Sequence, residues 1–237
     1  MKLDAIAFDT GGTVLDWHGG IVAKLAALAV EHGWESKDWH ALANDWRKRT
    51  IKGIVGQQRP AFHMDDVHRS TLDDALDAAG LSVATQAARD AIWRTWHELD
   101  AWPDFAAAFV RLKQALPVVS FTMLPTALVI DVSRRNRIDW DAVLSCEMIG
   151  SYKPNPQAYE TAARWLHLPP AKILMVACHN FDLNAAHAAG YRTAFVRRPD
   201  EWGPAGPPDP EPNMNYDFIV NDFDSLAGEV LNRIGAG

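Results

Sequence analysis

With 237 residues, 48% of them hydrophobic, the chain is sized for one large domain or a core with a smaller insert, and its composition excludes a disordered polymer. A formal net charge of −7 excludes a general attraction to nucleic acid or an anionic membrane, so an anionic ligand must find locally placed Arg or Lys. No apolar run nears the roughly 20 residues of a membrane helix, and the opening Met1-Lys2-Leu3-Asp4 lacks a signal-peptide layout. Cys146 and Cys178 lie in apolar stretches and read as buried free thiols, which predicts a cytoplasmic protein.

The first predicted strand, residues 4–9, carries Asp9 to the end of an apolar run, and Gly11 and Gly12 follow. From Gly19 to about His97 the pattern is helical. Ile21, Leu25, Leu28 and Ala29 form one stripe, and further helices fit 36–52, 63–79 and 84–97. Six of the ten tryptophans lie in this part (Trp17, Trp34, Trp39, Trp46, Trp93 and Trp96), as expected of an apolar underside or of ordinary helix packing.

After Trp102-Pro103-Asp104 helices and strands alternate: helix 104–115, strand 117–122, helix 125–136, strand 142–146, helix 155–166, strand 173–178, helix 182–189 and strand 192–196. Residues 199–215, with six prolines and two glycines, read as a surface loop before strand 217–220 and helix 223–234. Near-continuous apolar strands between helices predict an α/β fold, a doubly wound parallel sheet with helices on both faces. The first strand belongs to that sheet, so the helical stretch is an insertion. The expected division is a core of 1–15 and 98–237 with a helical cap at 16–97.

Parallel strand ends converge on one crevice, so the polar residues that follow each apolar run are the candidates for a site. They are Asp9 and Thr13; Thr122, with Ser120 as second choice; Lys153; and Cys178, His179, Asn180 and Asp182. Lys153 would keep Asp9 ionised, and Asp182 would hold Lys153. Plainer readings stand beside these: a solvated lysine after a turn, a turn hydroxyl at Thr13, and an N-cap at Asp182.

The order of these residues resembles the haloacid dehalogenase superfamily of aspartyl-nucleophile hydrolases, with its Rossmann-like core. It is most similar to the type II (S)-2-haloacid dehalogenases, whose helical cap follows the first strand. Asp9-Thr10-Gly11-Gly12-Thr13, Tyr152-Lys153-Pro154-Asn155-Pro156, Cys178-His179-Asn180-Phe181-Asp182 and Trp46-Arg47 carry the likeness, as does the six-residue step from Lys153 to Tyr159.

The resemblance implies that Asp9 forms an ester with a short 2-haloacid, steadied by Lys153 and Thr13, and that Asp182 helps the hydrolytic water. Arg47, Thr10, Gly11, Thr122, Met123, Tyr159, His179 and Asn180 would bind the substrate or the halide. It also implies a homodimer, a small anionic substrate, and no metal or cofactor.

Phosphatases of the superfamily carry a second Asp two places after the nucleophile, which protonates an alkoxide leaving group. Gly11 stands there in this chain and cannot; a departing halide needs no proton. Related dehalogenases place an aromatic at that position, so either the pocket is enlarged or Trp17 fills the gap. Met123 and Ala177 depart from the pattern as well. His179 replaces the usual Asn, as in a subgroup that includes defluorinating enzymes. Two other functions stay open: a Mg²⁺-dependent phosphatase, and a member that keeps the fold without dehalogenase activity.

Overall fold

The computed structural model describes residues 2–235. Its centre is β1 (Ala5–Phe8), an Ala-Ile-Ala-Phe strand buried at every residue. β1 pairs in parallel with β2 (Val118–Thr122) on one side and β4 (Ile173–Ala177) on the other, with Ile6 opposite both Val118 and Leu174. β3 (Ala142–Ser145), β5 (Arg192–Val196) and β6 (Phe218–Val220) complete an all-parallel sheet of order β3-β2-β1-β4-β5-β6. Strands covered on both faces must be apolar throughout, which is why Ile173-Leu174-Met175-Val176-Ala177 reads as an uninterrupted run. The strand order reverses at β1, so the crevice at its carboxyl end opens beside Asp9.

Four helices follow β1 before the chain returns to the sheet: α1 (Trp17–His32), α2 (Trp39–Ile54), α3 (Met64–Ala78) and α4 (Gln86–Arg94). Asp16 caps α1 by accepting from the Gly19 N–H, and Asp38 caps α2 through the Ala41 N–H. The predicted helix 84–97 ends early, at Arg94, and tightens into a 3-10 turn over Thr95–Glu98. The two ends of the segment pair in one antiparallel bridge, Leu15 with Ala101, where Asp16 N–H donates to the Asp100 carbonyl and Trp102 N–H to that of Val14. Trp17, Trp46 and Trp96 are fully buried in one aromatic cluster, while Trp34, Trp39 and Trp93 are half-buried in ordinary helix packing.

The remaining helices cover the sheet: α5 (Phe105–Lys113), α6 (Thr126–Asn136), α7 (Cys146–Ile149), α8 (Pro156–Leu166), α9 (Asn180–Ala188) and α10 (Phe223–Gly235). Phe8, Phe105 and Phe223 meet at centroid distances of 5.1 to 5.7 Å and bind α5 and α10 to the sheet. No helix among the described residues is long and apolar enough to cross a membrane.

One expectation fails. Residues 199–215 do not simply run over the surface: Glu201 and Trp202 are buried, and Pro208 and Asp209 reach the crevice. Trp202 packs edge-on against Trp17 with centroids 5.1 Å apart, a contact that no local composition announces.

Candidate active site

Asp9 ends β1, its N–H donating to the Val176 carbonyl of β4. Its carboxylate is almost fully buried, and each oxygen has a donor or cation beside it. Lys153 Nζ lies 3.3 Å from Oδ1, the Thr13 hydroxyl donates to Oδ2 at 2.8 Å, and His179 Nδ1 stands 3.2 Å from Oδ2. Burial works against ionisation, but Lys153 and then His179 and Thr13 outweigh it and hold the carboxyl below the usual carboxylate range.

Lys153 is fully buried and donates to Asp182 Oδ2 at 2.6 Å and to the Phe121 carbonyl at 2.8 Å. Burial disfavours its charge, yet Asp182 and Asp9 outweigh that and raise its pKa. Asp182 takes the Lys153 ammonium on one oxygen and the Tyr159 hydroxyl on the other, at 2.7 Å. Burial, with Asp9 nearby, nevertheless raises its pKa.

A cavity of about 140 Å³ opens on this cluster, walled by Asp9, Gly11, Arg47, Thr122, Met123 and His179 of the expected residues. Arg47 reaches it from α2. Its guanidinium is buried over the rings of Trp96 and Trp17, 5.3 and 5.7 Å from their centroids, and its Nε and Nη1 have no hydrogen-bond partner among the described residues. Burial lowers its pKa, offset in part by Glu201 and Asp9, and arginine remains charged. Thr122 borders the cavity, whereas Ser120 lies beneath the surface, hydrogen-bonded to the Thr10 hydroxyl at 2.7 Å. The Thr122 hydroxyl accepts from the Leu124 N–H, so its own proton is free to donate.

Several expected residues stand elsewhere. Thr10 turns its hydroxyl back to Ser120, leaving only its backbone for a ligand. Tyr159 and Asp182 lie behind Lys153 and off the cavity wall; with both oxygens of Asp182 engaged, it is not placed to prepare a water for Asp9. Asn180 is also off the wall. Its Nδ2 donates to the Glu211 carbonyl and its Oδ1 accepts from Asn213 N–H and the Tyr216 hydroxyl, so it fastens the proline-rich loop instead of a ligand. Asn180→Ala strands these buried partners and is expected to cost about 1–3 kcal/mol, read as a shift in the urea midpoint. Trp17 does not fill the space at Gly11. Leu124 does, and a Cβ at Gly11 would meet its side chain at an ordinary 3.6 Å.

Glu201 was not among the expected residues. It is 1% exposed and accepts from Trp17 Nε1 at 3.1 Å, and one of its oxygens lies 3.0 Å from His179 Nε2. Burial opposes its ionisation, but His179, Trp17 and Arg47 lower its pKa. For His179, burial opposes the charge while Cys178, Glu201 and Asp9 together raise its pKa well above the ordinary value. Gly12 makes room for this glutamate: φ is +90° there, and a Cβ would come within 2.1 Å of Glu201 Oε1. The one cue in the sequence is a Glu-Trp pair inside a proline-rich loop.

Cys178 Sγ, His179 Nε2 and a Glu201 oxygen lie within 4.8 Å of one another, the spacing of a metal-binding group. The imidazolium already joins the carboxylates of Asp9 and Glu201, and burial pushes the Cys178 thiol up to about 11, so the cluster is satisfied by its own protons.

The family model for haloacid dehalogenase-like hydrolases matches residues 3–190. The fold superposes on the crystal structure of the defluorinating L-2-haloacid dehalogenase Rha0230 with a TM-score of 0.89 at 34% identity, covering 97% of this chain and 95% of that one. In sequence, (S)-2-haloacid dehalogenase 4A of Burkholderia cepacia is 28% identical over 217 residues, 83% of this chain and 84% of its own. The N-acetylmuramic acid 6-phosphate phosphatase of Pseudomonas putida is 24% identical over 222 residues, 93% of each. This chain, with its parallel core and its Asp9–Lys153–Asp182 cluster, belongs to the haloacid dehalogenase-like hydrolases.

Proposed function

We propose that this chain hydrolyses the carbon–halogen bond of short 2-haloalkanoic acids, fluoroacetate-type substrates included, through an ester on Asp9. The observation that carries the reading is a buried Asp9 carboxylate and a buried Arg47 guanidinium, its Nε and Nη1 without a hydrogen-bond partner among the described residues, on the wall of one small cavity. At about 140 Å³ the cavity matches those that accept a benzene-sized molecule, which suits a short haloacid. Ile51, Trp202 and Pro208 wall both it and an outer recess that bears Lys48 and Lys52, a cationic approach in an acidic protein.

In the proposed reaction Arg47 and the free Thr122 proton hold the substrate carboxylate or the departing halide. An Asp9 oxygen attacks the α-carbon from behind, and the carbon–halogen bond breaks with its electron pair leaving on the halide. Lys153, held by Asp182 and the Phe121 carbonyl, keeps Asp9 anionic. Water then adds to the ester carbonyl and releases a 2-hydroxyacid. Residues 16–97 act as a cap, since Arg47 brings the cation from that segment to the core carboxylate.

No metal enters the proposal. The Asp9 oxygens already face Lys153, Thr13 and His179, both Asp182 oxygens are engaged, and Gly11 offers no further carboxylate. Two free buried cysteines suit the reducing cytoplasm.

Halide release from 2-chloropropionate, bromoacetate and fluoroacetate tests the reading. Turnover of at least one is expected. Halide from none, with Mg²⁺-dependent hydrolysis of a generic phosphate ester, would replace it with a phosphatase. Arg47→Met is expected to lower kcat/KM for the haloacid by about 10- to 100-fold, the worth of a charge-assisted hydrogen bond, without loss of thermal stability. Parallel steady-state kinetics and thermal melts check both halves.

A further inference from the structure

The second half of the reaction needs a base beside Asp9, and Asp182, tied to Lys153 and Tyr159 off the cavity wall, is not placed to be one. His179 is. It walls the cavity, its Nδ1 faces Asp9 Oδ2 at 3.2 Å, and its Nε2 is held by Glu201 at 3.0 Å. That is the arrangement of a base oriented by a buried carboxylate, with one ring nitrogen fixed and the other turned to the reacting group. Glu201 is held in turn by the Trp17 indole and seated against Gly12, where no side chain intervenes.

Resting on the dehalogenase reading, we propose that His179 is the general base that delivers water to the Asp9 ester, and that Glu201 is the positioning residue that holds it for that step. In the resting enzyme the imidazolium lies between two carboxylates. Ester formation removes the charge of Asp9, and the Nδ1 proton departs through the cavity with the halide. Nε2–H remains on Glu201, and the Nδ1 lone pair faces the ester.

A water then adds its oxygen to Asp9 Cγ while its proton passes to Nδ1. The tetrahedral adduct collapses, the ester oxygen leaves with the 2-hydroxyacid, and Nδ1–H returns the proton to that oxygen. The regenerated Asp9 carboxyl gives its own proton to Nδ1. The sum is haloacid plus water giving hydroxyacid, halide and one proton.

The other groups facing the ring are fewer. The Cys178 thiol lies 3.4 Å from Nε2 and, with its pKa raised by burial, is neutral. Arg47 is a fixed cation on the same wall, and Asp209, also on that wall, accepts from the Asn180 N–H.

The test is rapid-quench kinetics on 2-chloropropionate, with intact-protein mass, for wild type, His179→Gln, Glu201→Gln and Asp182→Asn. Both His179→Gln and Glu201→Gln are expected to release about one equivalent of halide in a burst. Steady-state turnover then falls about 100-fold and the protein carries the substrate's mass less hydrogen halide. The Asp182→Asn variant is expected to slow the burst itself and to accumulate no ester.

The rising pH limb of ester hydrolysis is expected to move to lower pH in Glu201→Gln, since loss of an anion lowers the pKa of the ring; a merely structural glutamate would leave the limb in place. Wild-type rates in both variants, equal loss of burst and turnover, or ester accumulating only in Asp182→Asn would each overturn the proposal. Absence of halide from the wild type would instead overturn the dehalogenase reading beneath it.

Discussion

Asp9→Asn is expected to reduce halide release from 2-chloropropionate by about 10⁴-fold or more, the scale on which covalent catalysis collapses when its nucleophile is removed. The amide is isosteric, so it keeps the place at the end of β1 and the contact with Thr13, but its oxygen is neutral and a poor nucleophile. The fold is expected to survive, because the charge removed is one of a set. Lys153, His179 and Arg47 still face Asp182 and Glu201. Ion chromatography of released halide, with thermal melts on the same samples, separates lost chemistry from lost structure. Retention of even a tenth of the activity would exclude an ester on Asp9.

Lys153→Met is expected to destabilise the protein by about 3–5 kcal/mol, the cost of leaving buried carboxylates without their cation. Methionine fills the space beneath Phe121 but leaves Asp9 and Asp182 to repel each other. The deficit depends on pH, and its sign follows from linkage. In the wild type the Asp9 pKa lies below its unfolded value, so its contribution is present above that value and fades as pH falls through the folded one.

Asp182 works in the opposite sense, its pKa being raised. Without Lys153 the Asp182 carboxyl loses its cation and titrates further above its unfolded value, so the variant's folded state takes up a proton that its unfolded state does not. The variant therefore gains stability on acidification, and its deficit is largest near neutrality and shrinks toward pH ~4. Urea unfolding of both proteins across that range reads the difference. A constant deficit would mean that Lys153 acts by packing alone.

The parts of the structure that could be read in the sequence are those where local pattern and burial agree. β1 and β4 stand out because a strand covered on both faces is apolar at every position. Asp9, Lys153 and His179 follow from strand order, since parallel strands bring their ends to one crevice. Orientation is harder. Nothing local distinguishes Thr122, on the cavity wall, from Ser120, two residues earlier and turned to Thr10. Nor does it show that both Asp182 oxygens are engaged by Lys153 and Tyr159.

The loop at 199–215 was illegible for a related reason. Six prolines predict irregular backbone equally well whether the segment is solvated or folded inward. The contacts that fold it inward, Trp17 with Trp202 and Asn180 with Glu211 and Asn213, join positions far apart in the chain. Glu201 escaped notice with it, because its significance lies in facing His179 and Gly12.

Transfer of the substrate's α-carbon from halogen to Asp9 is the step on which the proposed reaction stands. It is tested most directly by one turnover in water labelled with heavy oxygen, with enzyme in excess over 2-chloropropionate, followed by mass analysis of the peptide that contains Asp9. One heavy oxygen is expected in the Asp9 carboxylate, with an unlabelled hydroxyl in the lactate formed. Heavy oxygen in the lactate hydroxyl, with none in Asp9, would show direct displacement by water and contradict that step.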